Sequence, residues 1–129
     1  ELYFSPDNKW VLYNSNESGR WELYVRPLSG DGERWLISVN GGEWGRWSRD
    51  GREIFYTNSG KMVSVKVDST KTFQTSLPEV LFDLPFSVPE DLDLPYFDVS
   101  PDGRFVFNWP LQARTVKPLT VVYNWNRRN

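Results

Sequence analysis

A short motif that occurs three times limits what this chain can fold into. Each copy reads apolar–Ser–x–Asp–Gly/Asn–basic and is followed at once by a run of strand-forming residues. The copies begin at Phe4, Trp47 and Val99, so the two intervals are 43 and 52 residues. A repeat of about 40 to 50 residues that contains several short strands is typical of β-propeller blades. The sequence therefore predicts an all-β fold made of three similar units.

Turn residues between apolar runs divide each unit into strands. The predicted antiparallel blades cover about residues 1–42, 43–85 and 94–129, the first two four-stranded and the last lacking a fourth strand. The longer second interval contains an insertion, Leu84 to Tyr96, with three prolines. One strand leads into Ser5, and the others are Trp10–Ser15, Trp21–Arg26, Arg34–Val39, Trp44–Ser48, Glu53–Thr57, Lys61–Val67, Glu79–Asp83, Tyr96–Ser100, Phe105–Trp109 and Leu119–Trp125.

Composition agrees with strands and excludes several kinds of chemistry. The chain has 21 aromatic residues and 18 glycines or prolines but a single alanine, a composition poor in helix formers. It has no cysteine and no histidine, so it cannot supply a disulfide, a thiolate metal ligand or a Ser–His pair. The net charge is −2 with both signs interspersed, so we expect no nucleic-acid partner. No apolar run reaches the roughly 20 residues of a membrane span, so we expect no direct membrane insertion.

The repeated motif has a structural explanation. Aspartate in a tight turn accepts hydrogen bonds from backbone amides, and glycine or asparagine adopts the left-handed conformation that such a turn requires. An alternative makes Asp7, Asp50 and Asp102 ligands of a cation, but we favour turns and predict no metal or cofactor. The predicted turn residues are Ser5, Asp7, Ser48, Asp50, Gly51, Ser100, Asp102 and Gly103.

Three tryptophans are candidates for contact with a ligand or a partner. Trp35, Trp44 and Trp47 could form a stacking platform for sugar rings or a peptide. The alternative, which we favour, is that they pack between blades. Carboxylates in or beside the insertion, from Asp83 to Asp93, are interpreted as a solvated acidic loop rather than as a glycosidase acid–base pair.

Two longer segments carry a resemblance to a known family. Phe4–Tyr13 and Trp47–Tyr56, together with Asn16–Pro27, resemble the TolB-like, WD-repeat-like β-propellers of bacteria. The closing segment Pro118–Trp125 is similar to the end of propellers fused behind bacterial serine/threonine kinases and winged-helix regulators. The resemblance spans nearly the whole chain and departs from the family at Asn8, where glycine is usual, and in the insertion. It implies about half of a six-bladed propeller, without catalytic residues in the repeats.

The expected function is that of a non-catalytic module that binds a protein, a peptide or a small ligand. The resemblance implies the C-terminal part of a larger bacterial sensory or regulatory protein, in the periplasm or elsewhere outside the cytoplasm. The alternative is part of a propeller hydrolase, lactonase-like or peptidase-associated, with catalytic residues on absent blades or on a partner chain. The absence of histidine and cysteine favours binding over catalysis.

Three blades cannot close a ring, because propellers have about four to eight. The sequence therefore predicts completion by the remaining blades of the same protein or by self-association as a homodimer. The predicted assembly edge on the C-terminal side is Val121, Tyr123 and Trp125. The predicted contacts on the N-terminal side are Trp10, Leu12 and Tyr13.

Overall fold

The structure, a computed structural model, describes residues 1–30, 32–84, 97–110 and 118–123, with side chains as far as residue 107. Within these ranges all helical or strand structure is β-strand, and the strands pair antiparallel. The predicted all-β class is thus confirmed. No helix in the described ranges is long and apolar enough to cross a membrane.

The chain forms two compact units, Glu1–Val88 and Pro89–Asn129. The first unit begins with a four-stranded sheet in which each strand pairs with the next along the chain. Short turns between consecutive strands produce this order. Its strands are β1 (Leu2–Phe4), β2 (Trp10–Ser15), β3 (Glu22–Pro27) and β4 (Trp35–Leu36).

The second sheet of the first unit has five strands rather than the predicted four. Its strands are β5 (Glu43–Trp47), β6 (Glu53–Asn58), β7 (Lys61–Asp68), β8 (Gln74–Thr75) and β9 (Glu79–Asp83). The order is β5-β6-β7, and both β8 and β9 pair with β7. The additional strand, β8, has only two residues, both polar and exposed. Such a strand leaves no alternation in the sequence, which is why it was not predicted.

The second unit contains a three-stranded sheet of consecutive strands. They are β10 (Phe97–Val99), β11 (Phe105–Pro110) and β12 (Pro118–Tyr123). The Phe97 ring centroid lies 6.3 Å from that of Phe105 and 6.2 Å from that of Phe107, and all three side chains are buried. Residues 85–96 of the predicted insertion lie outside the described residues.

The strand β4 ends earlier than predicted because a side chain replaces the backbone as hydrogen-bond partner. Beyond Leu36 the chain still follows β3, since the Ile37 N–H donates to the Leu23 carbonyl at 2.8 Å. The Leu23 N–H, however, donates to the Ser38 hydroxyl at 2.9 Å instead of to a carbonyl. The same hydroxyl donates to the buried Glu22 carboxylate. Regular pairing therefore stops after two residues.

The core of the first unit lies between its two sheets. One face of the first sheet carries Leu12, Leu23 and Val25, each 0 % exposed, and it packs against apolar residues of the second sheet. The members from the second sheet and its loops are Ile54, Tyr56, Val63, Val65, Val67 and Phe73. Leu12 was predicted to be an exposed assembly contact. That prediction was wrong, because alternation shows which residues share a face but not which face is covered.

Glycine at position 45 lets the two sheets approach closely. A Cβ atom there would lie 2.7 Å from Leu23 Cδ2 and 2.8 Å from Leu12 Cδ2, well inside van der Waals contact. Both leucines are fully buried, so they have little room to move away. Close packing of β5 on the first sheet therefore requires a residue without a side chain.

We expect Gly45→Ala to destabilise the protein by about 1–3 kcal/mol through overpacking. Urea melts followed by tryptophan fluorescence measure the loss. Leu77→Ala is the control, because Leu77 is 85 % exposed and its truncation should change stability by less than about 0.5 kcal/mol. Equal stability of Gly45→Ala and the unmodified protein would contradict the close approach.

Candidate functional site

Each copy of the repeated motif forms a turn closed by its own side chains. In the first turn the Ser5 hydroxyl donates to Asp7 Oδ1 at 2.6 Å, and the Lys9 N–H donates to the same oxygen at 3.1 Å. The Ser5 hydroxyl oxygen also accepts the Trp10 N–H at 3.0 Å. Asn8 occupies the left-handed position with φ of 59°. Asparagine tolerates this conformation, so the departure from glycine at position 8 leaves the turn intact.

The second turn repeats this geometry. Asp50 Oδ1 accepts the Ser48 hydroxyl at 2.7 Å and the Arg52 N–H at 3.0 Å. The Ser48 hydroxyl oxygen accepts the Glu53 N–H at 3.0 Å, and Gly51 has φ of 72°. The two turns therefore present their carboxylates in the same way.

The third turn, in the second unit, is one residue tighter. The Ser100 hydroxyl donates to the Asp102 carboxylate, and its oxygen accepts the Arg104 N–H at 3.0 Å. Arg104 Nε also lies 2.8 Å from Asp102 Oδ2. Gly103 takes the left-handed position with φ of 84°. All eight predicted turn residues thus take part in the three turns.

The turn hydrogen bonds hold the carboxylates in their charged form. The Ser5 hydroxyl lowers the pKa of Asp7, and the Arg52 N–H, followed by the Ser48 hydroxyl, lowers the pKa of Asp50. The Ser100 hydroxyl and then Arg104 lower the pKa of Asp102. Each donor stabilises the anion, so these groups stay ionised at neutral pH.

A cavity of about 620 Å³ lies in the first unit beside the first two turns and the loop that follows β7. Three carboxylates, Asp7, Asp50 and Asp68, line it together with one cationic side chain, Arg52. Hydroxyl groups and two indoles complete the wall. The remaining lining residues are Ser5, Pro6, Trp10, Trp47, Gly51, Val67, Ser69 and Thr70.

The cavity acquires its third carboxylate from a loop that sequence reasoning missed. The Thr70 hydroxyl and the Thr70 N–H donate to Asp68 Oδ1 at 2.7 and 3.1 Å, and the hydroxyl and then the N–H lower the pKa of Asp68. The available signal was the run Asp68-Ser69-Thr70 directly after an alternating strand, which is a common turn sequence. The loop occurs only once among the three repeats, so comparison of the repeats does not reveal it.

Packed aromatic rings hold the tryptophans in the cavity wall. The Trp10 ring centroid lies 5.5 Å from that of Trp35 in an edge-to-face contact and 4.7 Å from that of Phe73. Trp47 is fixed from the other sheet, because its Nε1 donates to the Tyr3 carbonyl at 3.0 Å. Within the described residues Trp10 Nε1 is buried with no hydrogen-bond partner.

The structure places the three candidate tryptophans in different surroundings. Trp35 packs behind Trp10, away from the cavity lining, and Trp47 lines the cavity. Trp44 is partly buried on β5 with φ of 57°, beside an irregularity in the pairing of β5 with β6. Of the three, Trp47 alone lines the cavity.

The predicted assembly edge lies in the second unit. Val121 and Tyr123 on β12 pair in register with Phe107 and Phe105. Trp125 lies outside the described residues. The role of these residues in assembly stays a prediction.

Among the described residues, no group of three or more carboxylates is arranged so that it could hold a metal ion. Comparison with protein-family models finds no matching family, and comparison with curated proteins finds no match.

The lowered pKa of Asp50 predicts that its turn loses strength in acid. A depressed folded-state pKa contributes stability above the unfolded value of about 3.9, and this contribution is lost as the pH falls through the folded value. By analogy with other side chains that cap backbone amides, Asp50→Ala should cost about 0.5–2 kcal/mol near neutral pH. Urea melts at about pH 7 and about pH 3 should show the difference from the unmodified protein shrinking in acid.

Asp83→Ala is the control for this experiment. Asp83 is an exposed carboxylate whose contact is a surface ion pair with Lys61 at 2.5 Å. Surface pairs contribute little, so this variant should change stability by less than about 1 kcal/mol. A deficit for Asp50→Ala that is the same at both pH values would refute the charged-turn account.

Proposed function

We propose that the chain is a non-catalytic binding module of the β-propeller type, and that its acidic cavity receives a cationic group of a peptide, a protein or a small amine. Two features support the propeller architecture. The first three strands of each sheet are consecutive along the chain and antiparallel, and each sheet begins with a hairpin closed by a Ser–Asp turn. Blades of a propeller have this construction.

The negative charge of the cavity is the main observation in favour of a cationic ligand. Asp7, Asp50 and Asp68 outnumber the single cation Arg52 in its lining. Turn hydrogen bonds use Oδ1 of each carboxylate, so Oδ2 of each is not engaged by those bonds. Carboxylate oxygens held in fixed positions attract an ammonium or guanidinium group and accept its hydrogen bonds.

The two indoles of the wall favour the same ligand. Tryptophan attracts a cation that lies over its ring face, and the attraction increases where water is excluded. Trp10 and Trp47 are both held by packing or hydrogen bonding, so binding need not order them. A long side chain with an apolar stem and a cationic end, such as lysine or arginine, fits this combination of surfaces.

The same carboxylates are poorly suited to proton transfer. A general acid or base works best with a pKa near the operating pH, and such enzymes raise the pKa of a carboxylate by burial. The pKa values of Asp7, Asp50 and Asp68 are lowered instead. This direction favours binding over the hydrolase alternative.

A titration with a short lysine peptide tests the proposal. We expect calorimetric binding that weakens as the salt concentration rises, because the attraction is between exposed charges. Asp68→Asn removes one charge of the cavity and should weaken binding about tenfold, the effect of losing roughly 1.4 kcal/mol. A glutamate peptide of the same length should not bind.

Asp102→Asn is the matched control. Like Asp68, Asp102 is a carboxylate that accepts a hydrogen bond from a nearby hydroxyl, but it does not line the cavity, so its variant should bind the lysine peptide like the unmodified protein. Equal weakening by both substitutions would mean that net charge alone attracts the peptide. No binding of the lysine peptide to the unmodified protein would sink the proposal.

A further inference from the structure

The outer face of the first sheet, on the side opposite the core, exposes three large apolar side chains, and Arg34 lies over the Tyr24 ring on the same face. Register places Leu2 opposite Tyr13 and Leu36 opposite Tyr24, and Phe4 pairs with Val11 on the same face. Leu2 is 65 %, Phe4 57 % and Leu36 52 % exposed. Three large apolar side chains on one sheet face form the kind of patch that marks an interaction surface.

The equivalent face of the second sheet shows how a face of this kind packs in this chain. Counted from the Ser–Asp turns, Phe4, Val11 and Tyr13 of the first sheet correspond to Trp47, Ile54 and Tyr56 of the second. In the second sheet these residues pack on the first sheet: Ile54 and Tyr56 belong to the shared core, and Trp47 donates to the Tyr3 carbonyl. The outer face of the first sheet is therefore the same docking face without its partner sheet.

The partner in that observed contact is the Leu12 face of the first sheet. By cross-strand register, the residue paired with the one two positions before the turn serine is Leu12 in the first sheet, Phe55 in the second and Val106 in the third, where the turn is one residue tighter. Phe55 is buried, whereas Val106 is half-buried and its cross-strand neighbour Asp98 is exposed. Among these three equivalent positions, Val106 is thus the most open to solvent.

The sizes of the side chains also match. In the observed contact Gly45 of the second sheet faces the large residues Leu12 and Leu23. The first sheet has Leu2 at the position of Gly45, three residues before its turn serine. The third sheet has the smaller Val106 and Thr120 at the register positions of Leu12 and Leu23. A contact between these two faces would thus set a larger residue against smaller ones, as close packing requires.

We infer that the outer face of the first sheet binds the Val106 face of the third sheet of a second copy of this chain. The contact joins two different surfaces, so it is head-to-tail, and each copy has one surface of each kind. If the proposed propeller architecture holds, two copies bring together six blades, within the usual four to eight, so the assembly closes as a dimer. Strand register and side-chain exposure support this contact, and the acidic cavity is not part of the argument for it.

Sedimentation velocity of the 129-residue chain at micromolar concentration tests the association. We expect one species of twice the monomer mass. Leu36→Asp places a charge on the outer face and should produce monomers, whereas Leu77→Asp, an equally apolar and more exposed site outside this face, should remain dimeric. A monomeric unmodified chain, or a range of aggregates without a discrete dimer, would overturn the inference.

Mixing two monomeric variants tests the head-to-tail direction. Leu36→Asp keeps the third-sheet surface intact, and Val106→Asp keeps the outer face intact, so an equimolar mixture should form a heterodimer through one good contact. If either variant alone stays dimeric, or if the mixture stays monomeric, the assigned pairing is wrong.

The readouts for assembly and for the acidic cavity are separate. Near-ultraviolet circular dichroism establishes that each variant is folded before its mass is interpreted. Asp68→Asn should leave the dimer intact, because Asp68 lies in the cavity and not on the outer face. If an unmodified dimer does not bind the peptide, the proposal for the cavity is wrong and the assembly is unaffected. If the unmodified chain is a monomer that binds the peptide, the assembly is wrong and the proposal for the cavity is unaffected.

Discussion

Sheets that are apolar on both faces must be covered on both faces, and this requirement shapes the first unit. In the second sheet Ile54 and Tyr56 are buried on one face, while Phe55 and Met62 are buried on the other. Burial also raises the pKa of Tyr56 to about 12, since a charged phenolate would lose its hydration there. The first sheet satisfies the requirement on one face only, which leaves apolar side chains exposed on the other.

The Ser–Asp turns connect this packing to the proposed binding site. Each turn sets the register of the first hairpin of its sheet, and register decides which side chains reach the neighbouring sheet. The same turns place Asp7 and Asp50 in the cavity lining. A change at these aspartates therefore affects stability as well as ligand binding. Asp68 is the better probe of binding, because the loop that follows it joins β7 to the two-residue strand β8 and is not one of the Ser–Asp turns that close the first hairpin of a sheet.

Sequence reasoning located the turns and most strands but not the faces or the cavity. The repeat predicted β2 and β6 closely because each strand follows a Ser–Asp turn directly, and the alternating valines of Lys61–Val67 indicated β7. It missed β8, whose two residues are polar and exposed, and it placed Leu12 outside although Leu12 is in the core. Where a strand is apolar on both faces, the alternation of its residues does not show which face points toward the core. Only the register in the folded chain shows which face is covered.

The proposed ligand site and the proposed assembly surface occupy different parts of the first sheet. The cavity lies at the turn that follows β1, whereas the outer face is formed by side chains along the strands. Ligand binding and assembly therefore need not compete. A dimer would carry two acidic cavities, one from each copy, and a partner with two cationic groups could engage both. Once one cationic group is bound, the second would bind the other cavity at high effective concentration. Two cavities that each bind a single cation weakly would therefore together bind a partner with two cationic groups tightly.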